Sequence, residues 1–267
     1  MTNWHVERLA EPALQGLSTG TVDRRAMHLH GSWGNFYENT IALDTQAPYS
    51  RHGYGFAAVN TRGHDAGTIS EDLSDTSSDI SAWMDHFDAQ GTDRWVLQGH
   101  SLGALKIIRG MLDHAFGNRV SAVVLLSPFD LPAFYAGSGD AGAIEAKKTH
   151  VEQLMAKRGA NVAVPEDIFS TWPVSLGTIR SALSIGGPLD VFRSRDGDVN
   201  SVGNVGVPTL VVLGGADFAA TPDNHRVADL VEKVGAEVTL VEGAPHNFAG
   251  FEVQVNAAIA QFLAKLA

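Results

Sequence analysis

Trp95-Val96-Leu97-Gln98-Gly99-His100-Ser101-Leu102-Gly103 carries the chain from an apolar run into a stretch of helical character that continues to Ala115. Its core, Gly99-His100-Ser101-Leu102-Gly103, is a Gly-x-Ser-x-Gly pentapeptide set between a strand and a helix. That setting makes a common pentapeptide into the sharp turn that presents a nucleophile. Ser101 is expected on strained backbone with its hydroxyl lifted clear of a sheet. Gly99 and Gly103 are expected where any side chain would collide with the neighbouring strand or helix. The following helix directs its N-terminus, with unpaired N–H groups, at negative charge forming above the serine.

Outward from this turn, short apolar runs alternate with amphipathic stretches, the pattern of an α/β fold with a mostly parallel central sheet and helices on both faces. Strands are predicted at 26–30, 55–60, 95–98, 120–126, 209–213 and 238–241, and residues up to Gly20 read as an antiparallel edge. Ile80, Trp83, Met84 and Phe87 stand at helical spacing in 79–87. A second helix is expected from Thr221 as N-cap and Pro222 as first helical residue, burying Val227, Leu230, Val231 and Val234. A last helix near 252–266 presents Val255, Ile259, Phe262 and Leu266. Residues 127–208 are far more than one crossover needs. They hold a helix candidate (Ile144, Val151, Leu154, Met155) and an aromatic, Gly-rich stretch from Phe169 to Phe192. The expected organisation is therefore a core of 1–128 and 206–267 with a cap, 129–205, inserted over the active face. The alternative is an ordinary surface extension. The cap reading is favoured because the insertion leaves the C-terminal end of a strand, the edge that also presents Ser101.

Composition narrows the partners. Nineteen basic against 30 acidic residues give a net charge of −11, with no Lys/Arg cluster to neutralise a phosphate backbone, so no nucleic-acid partner is expected. There is no cysteine, hence no disulfide, thiolate metal site or cysteine nucleophile. No apolar run approaches the roughly 20 residues that span a bilayer. Met1-Thr2-Asn3-Trp4-His5 lacks a basic region followed by an apolar one, so a cytoplasmic location is the expectation.

A serine hydroxyl needs a general base within hydrogen-bond reach and an acid to orient that base. At this type of turn the chain order is Ser, acid, His. His246, in Gly243-Ala244-Pro245-His246-Asn247, follows the final strand and is the expected base. His225 falls inside a helix, His150 on the insertion's helix facing solvent, and His100 beside the nucleophile but aimed elsewhere. Asp217, in Gly214-Gly215-Ala216-Asp217, is the expected acid. Asp130, in Ser127-Pro128-Phe129-Asp130, is its rival, and either could simply cap a helix. A tetrahedral intermediate needs two N–H donors. The Leu102 amide is one. His30-Gly31-Ser32-Trp33-Gly34 supplies the other, from Ser32 with Trp33 as the alternative.

These motifs resemble the α/β-hydrolase superfamily over nearly the whole chain. More narrowly, His30-Gly31-Ser32-Trp33-Gly34-Asn35-Phe36-Tyr37-Glu38-Asn39 with Asn60-Thr61-Arg62-Gly63-His64-Asp65 is similar to a branch that includes fungal siderophore esterases. The resemblance implies the α/β-hydrolase fold and an esterase-type serine hydrolase acting on a small-molecule ester, with no metal or cofactor. A serine at 101 argues against the epoxide hydrolases and haloalkane dehalogenases of that fold, which use an aspartate. Amidase, thioesterase, lactonase and carbon–carbon hydrolase chemistry stay open, as does a ligand-binding receptor on the same scaffold. Trp33 departs from the small residue expected there and could shape the acyl pocket. Phe134, Tyr135, Phe169, Trp172, Phe192 and Phe218 are further candidates for lining it, against a plain packing role. The Arg62–Asp65 loop is expected to be structural. Arg193 and Arg195 are expected as two solvated arginines rather than as anion binders.

Overall fold

A computed structural model describes residues 3–20, 23–38, 40–75, 77–164, 173–220 and 223–266. Along the chain its strands are β1 (His5–Leu9), β2 (Leu14–Thr19), β3 (Arg24–Leu29), β4 (Gly55–Val59), β5 (Arg94–His100), β6 (Val120–Leu126), β7 (Ala163–Val164), β8 (Val174–Ser175), β9 (Thr209–Gly214) and β10 (Glu237–Val241). Eight of them form one sheet in the order β1-β2-β4-β3-β5-β6-β9-β10. β4, β3, β5, β6, β9 and β10 are parallel, and β1 and β2 join them antiparallel at one side. The antiparallel N-terminal segment is thus a two-stranded hairpin, with β1 as the edge.

Side chains alternate between the faces with the period of a strand. Met27, Leu29, Ala57, Val59, Leu97, Val123, Leu125, Val211 and Leu213 enter one buried cluster. Helices Ser78–Asp88, Leu102–Leu112 and Asn224–Lys233 cover it through Trp83, Phe87, Leu105, Ile108, Val227 and Val231. Ala26, Phe56, Ala58, Val96, Ala122, Val124, Leu210 and Val212 point the other way, against Tyr49 of the helix Gln46–Arg51 and Val255, Ile259 and Phe262 of the helix Glu252–Ala264. Burial on both faces explains why the parallel strands read as continuous apolar runs rather than as alternation.

One helix start differs from expectation. Thr221 and Pro222 lie outside the described residues, and the cap of Asn224–Lys233 is Asp223, whose carboxylate accepts from the Arg226 N–H. Asp223 is extended (φ −162°), the backbone that lets a short carboxylate reach the first turn.

Between β6 and β9 the chain builds helices Leu131–Ala136, Ala141–Arg158 and Leu176–Ala182, the β7–β8 ribbon and short turns. Ile144 and Val151 are buried, as their spacing implies, and join the main cluster together with Val174, Leu176 and Ile179. His150 is exposed. Arg195 corrects the sequence reading: its side chain is only 1% exposed. Its guanidinium donates to Asp130 and, at 2.9 and 3.0 Å, to Asp190, while its N–H donates to Asp130 at 3.0 Å. Arg193 alone stays half-exposed, paired with Asp198 at 3.0 Å. Removing one member of a buried ion pair strands the others without compensation. Arg195→Ala is therefore expected to lower the unfolding free energy by about 3–5 kcal/mol in chemical denaturation. A loss under about 1 kcal/mol would mean that water solvates these carboxylates. Among the described residues no helix is long and apolar enough to cross a membrane.

Candidate active site

Ser101 follows β5 with φ 56° and ψ −122°, a backbone that side chains rarely adopt and that surrounding structure must enforce. Three features enforce it. The Ser101 N–H donates to the carbonyl of Leu126 at the end of β6, 2.8 Å away. A Cβ on Gly99 would lie 2.5 Å from the backbone of Gly103, and one on Gly103 would lie 2.5 Å from the carbonyl oxygen of Leu29. Strand, turn and helix therefore close to a distance only glycine permits. Gly31 belongs to the same contact: a Cβ there would be 2.8 Å from that of Ser101.

β9 and β10 bring the other two groups to this edge. The Gly215 N–H donates to Val241 and the Ala216 N–H to Ala244, at 2.8 and 2.9 Å, so the turns after the two strands are stitched together. Asp217 is buried there. His246 Nδ1–H donates to both its oxygens, at 2.9 and 2.8 Å, and the Ala219 N–H donates to it at 2.8 Å. On the far side of the ring, His246 Nε2 accepts from the Ser101 hydroxyl at 2.8 Å. Burial pushes the Asp217 carboxyl up, but the hydrogen bond and charge of His246 outweigh it and hold the group below its usual range. A hydroxyl, an imidazole and a carboxylate from three separate loops are thus in hydrogen-bond sequence.

Asp130 is elsewhere engaged. It caps Leu131–Ala136 by accepting from the Ala133 N–H at 3.1 Å, and it is held by Arg195. The turn 31–34 is closed by a bond from the Gly34 N–H to the Gly31 carbonyl, 3.1 Å, with Trp33 at φ 59°. The Trp33 N–H is already donated to Thr68 Oγ1 at 2.8 Å. The Ser32 N–H has no acceptor among the described residues, and the Leu102 N–H, first in its helix, has none within that helix. Beneath the turn, His30 Nδ1–H donates to the Gly31 carbonyl at 2.8 Å and its Nε2 accepts from the Thr61 N–H at 3.1 Å.

The pocket-lining expectations divide. Phe218 is 74% exposed, with its ring centroid 5.2 Å from His246 and 6.1 Å from Phe134. Phe129 reaches His246 at 6.1 Å. Tyr135 is instead buried in the main core, with Phe192. Trp172 and Phe169 lie outside the described residues. The Arg62 loop is structural as expected: the Arg62 N–H and Nε–H both donate to Asp79 at 2.7 Å, while Asp65 accepts from Asn35 and Tyr37. His100 is aimed away from the Ser101 hydroxyl, as expected, and its partner is one the sequence did not suggest. Its Nε2–H donates to the backbone carbonyl of His246 at 2.8 Å and the two rings are 5.1 Å apart. Among the described residues no cluster of His, Asp or Glu is disposed to hold a metal ion.

Three buried imidazoles surround this edge. Burial and then Lys106 lower His30 to about 3; burial and then His246 lower His100 to about 4; burial and then His100 lower His28 as well. The unfolded chain takes up protons on these groups near pH 6.5, where the folded protein does not. Stability is then complete above about pH 6.5 and falls as the pH drops towards the folded values. Denaturant titrations are expected to give an unfolding free energy at pH ~5 lower by at least about 2 kcal/mol than at pH ~7.5. A flat profile over that window would show the rings to be solvated.

A sequence model described as Alpha/beta hydrolase family matches residues 27–261. No curated protein matches the chain in sequence. Among solved structures, siderophore hydrolase EstB from Aspergillus fumigatus superposes with a TM-score of 0.71 at 14% identity, over 100% of this chain and 98% of that one. Alpha/beta hydrolase GrgF from Penicillium sp. sh18 gives 0.70 at 14% identity, over 99% and 98%. Est1E from Butyrivibrio proteoclasticus gives 0.65 at 14% identity, over 98% of each chain. At these identities the likeness is one of fold.

Proposed function

Because the chain belongs to the alpha/beta hydrolase family, we propose that it is a serine hydrolase that cleaves a carboxylic ester of small or medium size through an acyl-enzyme. The observation that carries this reading is the continuous contact from Ser101 Oγ to His246 Nε2, 2.8 Å, and from His246 Nδ1 to Asp217, 2.8 and 2.9 Å. Ser101 Oγ attacks the ester carbonyl carbon as His246 Nε2 takes its proton. Asp217 fixes the Nδ1–H tautomer and stabilises the imidazolium. The amides of Leu102 and Ser32 hold the oxyanion; each such donor is worth about 10²–10³ in rate. The commitment of the Trp33 amide to Thr68 favours Ser32 over Trp33. His246 returns the proton to the leaving alcohol, then activates a water that releases the acid and frees Ser101. These steps use side chains, backbone amides and water alone.

Residues 129–205 form the cap in this reading, and Phe129 and Phe134, from its first turn, stand with Phe218 beside His246. Phe134, Phe218 and the indole of Trp33 border the acyl or alcohol group. A fluorophosphonate probe is expected to label Ser101 alone, and a panel of graded esters, thioesters, amides and lactones is expected to show fastest turnover among the esters. Labelling at another residue would move the nucleophile. Tight ligand binding without turnover across the panel would instead indicate a receptor.

A further inference from the structure

On the sheet face beneath the proposed catalytic histidine runs a line of buried polar groups that the hydrolytic steps do not use. Tyr49 O–H donates to Gln98 Oε1 at 2.8 Å. Gln98 Nε2–H donates to Thr45 Oγ1 at 2.8 Å and to His28 Nδ1 at 2.6 Å. Thr45 commits its own hydroxyl proton to the Ile41 carbonyl, 2.9 Å, so the amide of Gln98 must point its NH2 this way. His28 Nδ1 is therefore an acceptor, and its proton sits on Nε2. At the other end His100 Nε2 donates to the His246 carbonyl, so its Nδ1 carries a lone pair.

His28 Nε2 and His100 Nδ1 are both fully buried and, among the described residues, both without a hydrogen-bond partner. One is a donor and the other an acceptor. His28 sits opposite Gln98 in the β3–β5 register, and His100 is two residues further along β5, hence on the same face. Two orphaned groups of opposite sense on neighbouring strands are costly apart and satisfied together. We propose that His28 Nε2–H is bonded to His100 Nδ1 through a single water, completing a buried chain that runs with one donor sense from Tyr49 through Gln98, His28 and His100 to the backbone of His246. His28 and His100 are then positioning residues: they fix the carbonyl, and with it the ring, of the general base. This rests on the reading of His246 as that base. The groups facing His100 are His28, His246 and Asp217, and its lowered proton affinity keeps it neutral while His246 is charged.

Imidazole nitrogen NMR on the intact protein tests the chain independently of turnover. The expected spectrum has the proton of His100 on Nε2, the proton of His28 on Nε2, and His100 Nδ1 at the shift of a hydrogen-bonded acceptor. In His28→Phe that last resonance moves to the position of an unbonded nitrogen, while His28→Gln, whose amide nitrogen reaches where Nε2 was, restores it. On an ester that the wild type hydrolyses, His28→Phe is expected to lower kcat about 10-fold with KM unchanged, the cost of a slightly misplaced base, and His28→Gln to recover it. A proton on His100 Nδ1 in the wild type, or a His100 Nδ1 shift indifferent to His28→Phe, overturns the proposal. So does a loss confined to KM or to thermal stability. If His28→Phe does not fold, the wild-type spectrum and His28→Gln decide. Should Ser101 prove not to be the nucleophile, turnover will survive Ser101→Ala while the nitrogen shifts still report the chain.

Discussion

Ser101→Ala is expected to leave a folded protein whose ester turnover is lower by roughly three orders of magnitude or more. The size follows from the chemistry. Without Oγ no acyl-enzyme forms, and only amide donors and binding remain to assist direct attack by water. Folding should survive because alanine keeps the Cβ that packs against Gly31 and the N–H that donates to Leu126. Only a partly buried hydrogen bond to His246 is lost. Steady-state kcat/KM read beside a melting curve separates these outcomes, and a variant as fast as the wild type would reject Ser101.

Asp217→Asn should cost about 10⁴ in kcat, since an amide in that place favours the wrong tautomer of the histidine. The matched control is Asp130→Asn. Asp130 touches Arg195 and the Ala133 amide, so its loss should appear as lower stability, with turnover per folded molecule within a few-fold of wild type. Equal catalytic losses in the two variants would show that the acid cannot be assigned from this geometry.

The parts readable in the sequence share a physical cause. Ser101, Asp217 and His246 each follow an apolar strand run, and parallel strands deliver the residues after them to one edge, so three local patterns converge in space. The superfamily that those motifs resemble is the one whose sequence model matches the chain. What escaped reading depends on partners distant in sequence. Arg195 looks solvated in its polar stretch, yet its carboxylates lie 5 and 65 residues away. His100 gave no signal because its partner is a backbone carbonyl, which no side-chain pattern advertises. Phe134 and Tyr135 are adjacent on one short helix, so one side chain faces His246's surroundings through Phe218 and the other turns into the core.

The Arg195 ion pair has a consequence for how this scaffold can change. Asp130 stands just past β6, and Asp190 and Arg195 stand on the returning chain, so one buried clasp gathers both stems of the intervening segment. Exposed stretches between those stems can then lengthen at only about 0.6 kcal/mol per doubling of a flexible loop. The edge that carries Ser101, Asp217 and His246 is anchored through β5, β9 and β10. In the proposed reading, the outer part of this segment can then vary in length while the strands that carry Ser101, Asp217 and His246 keep their pairing.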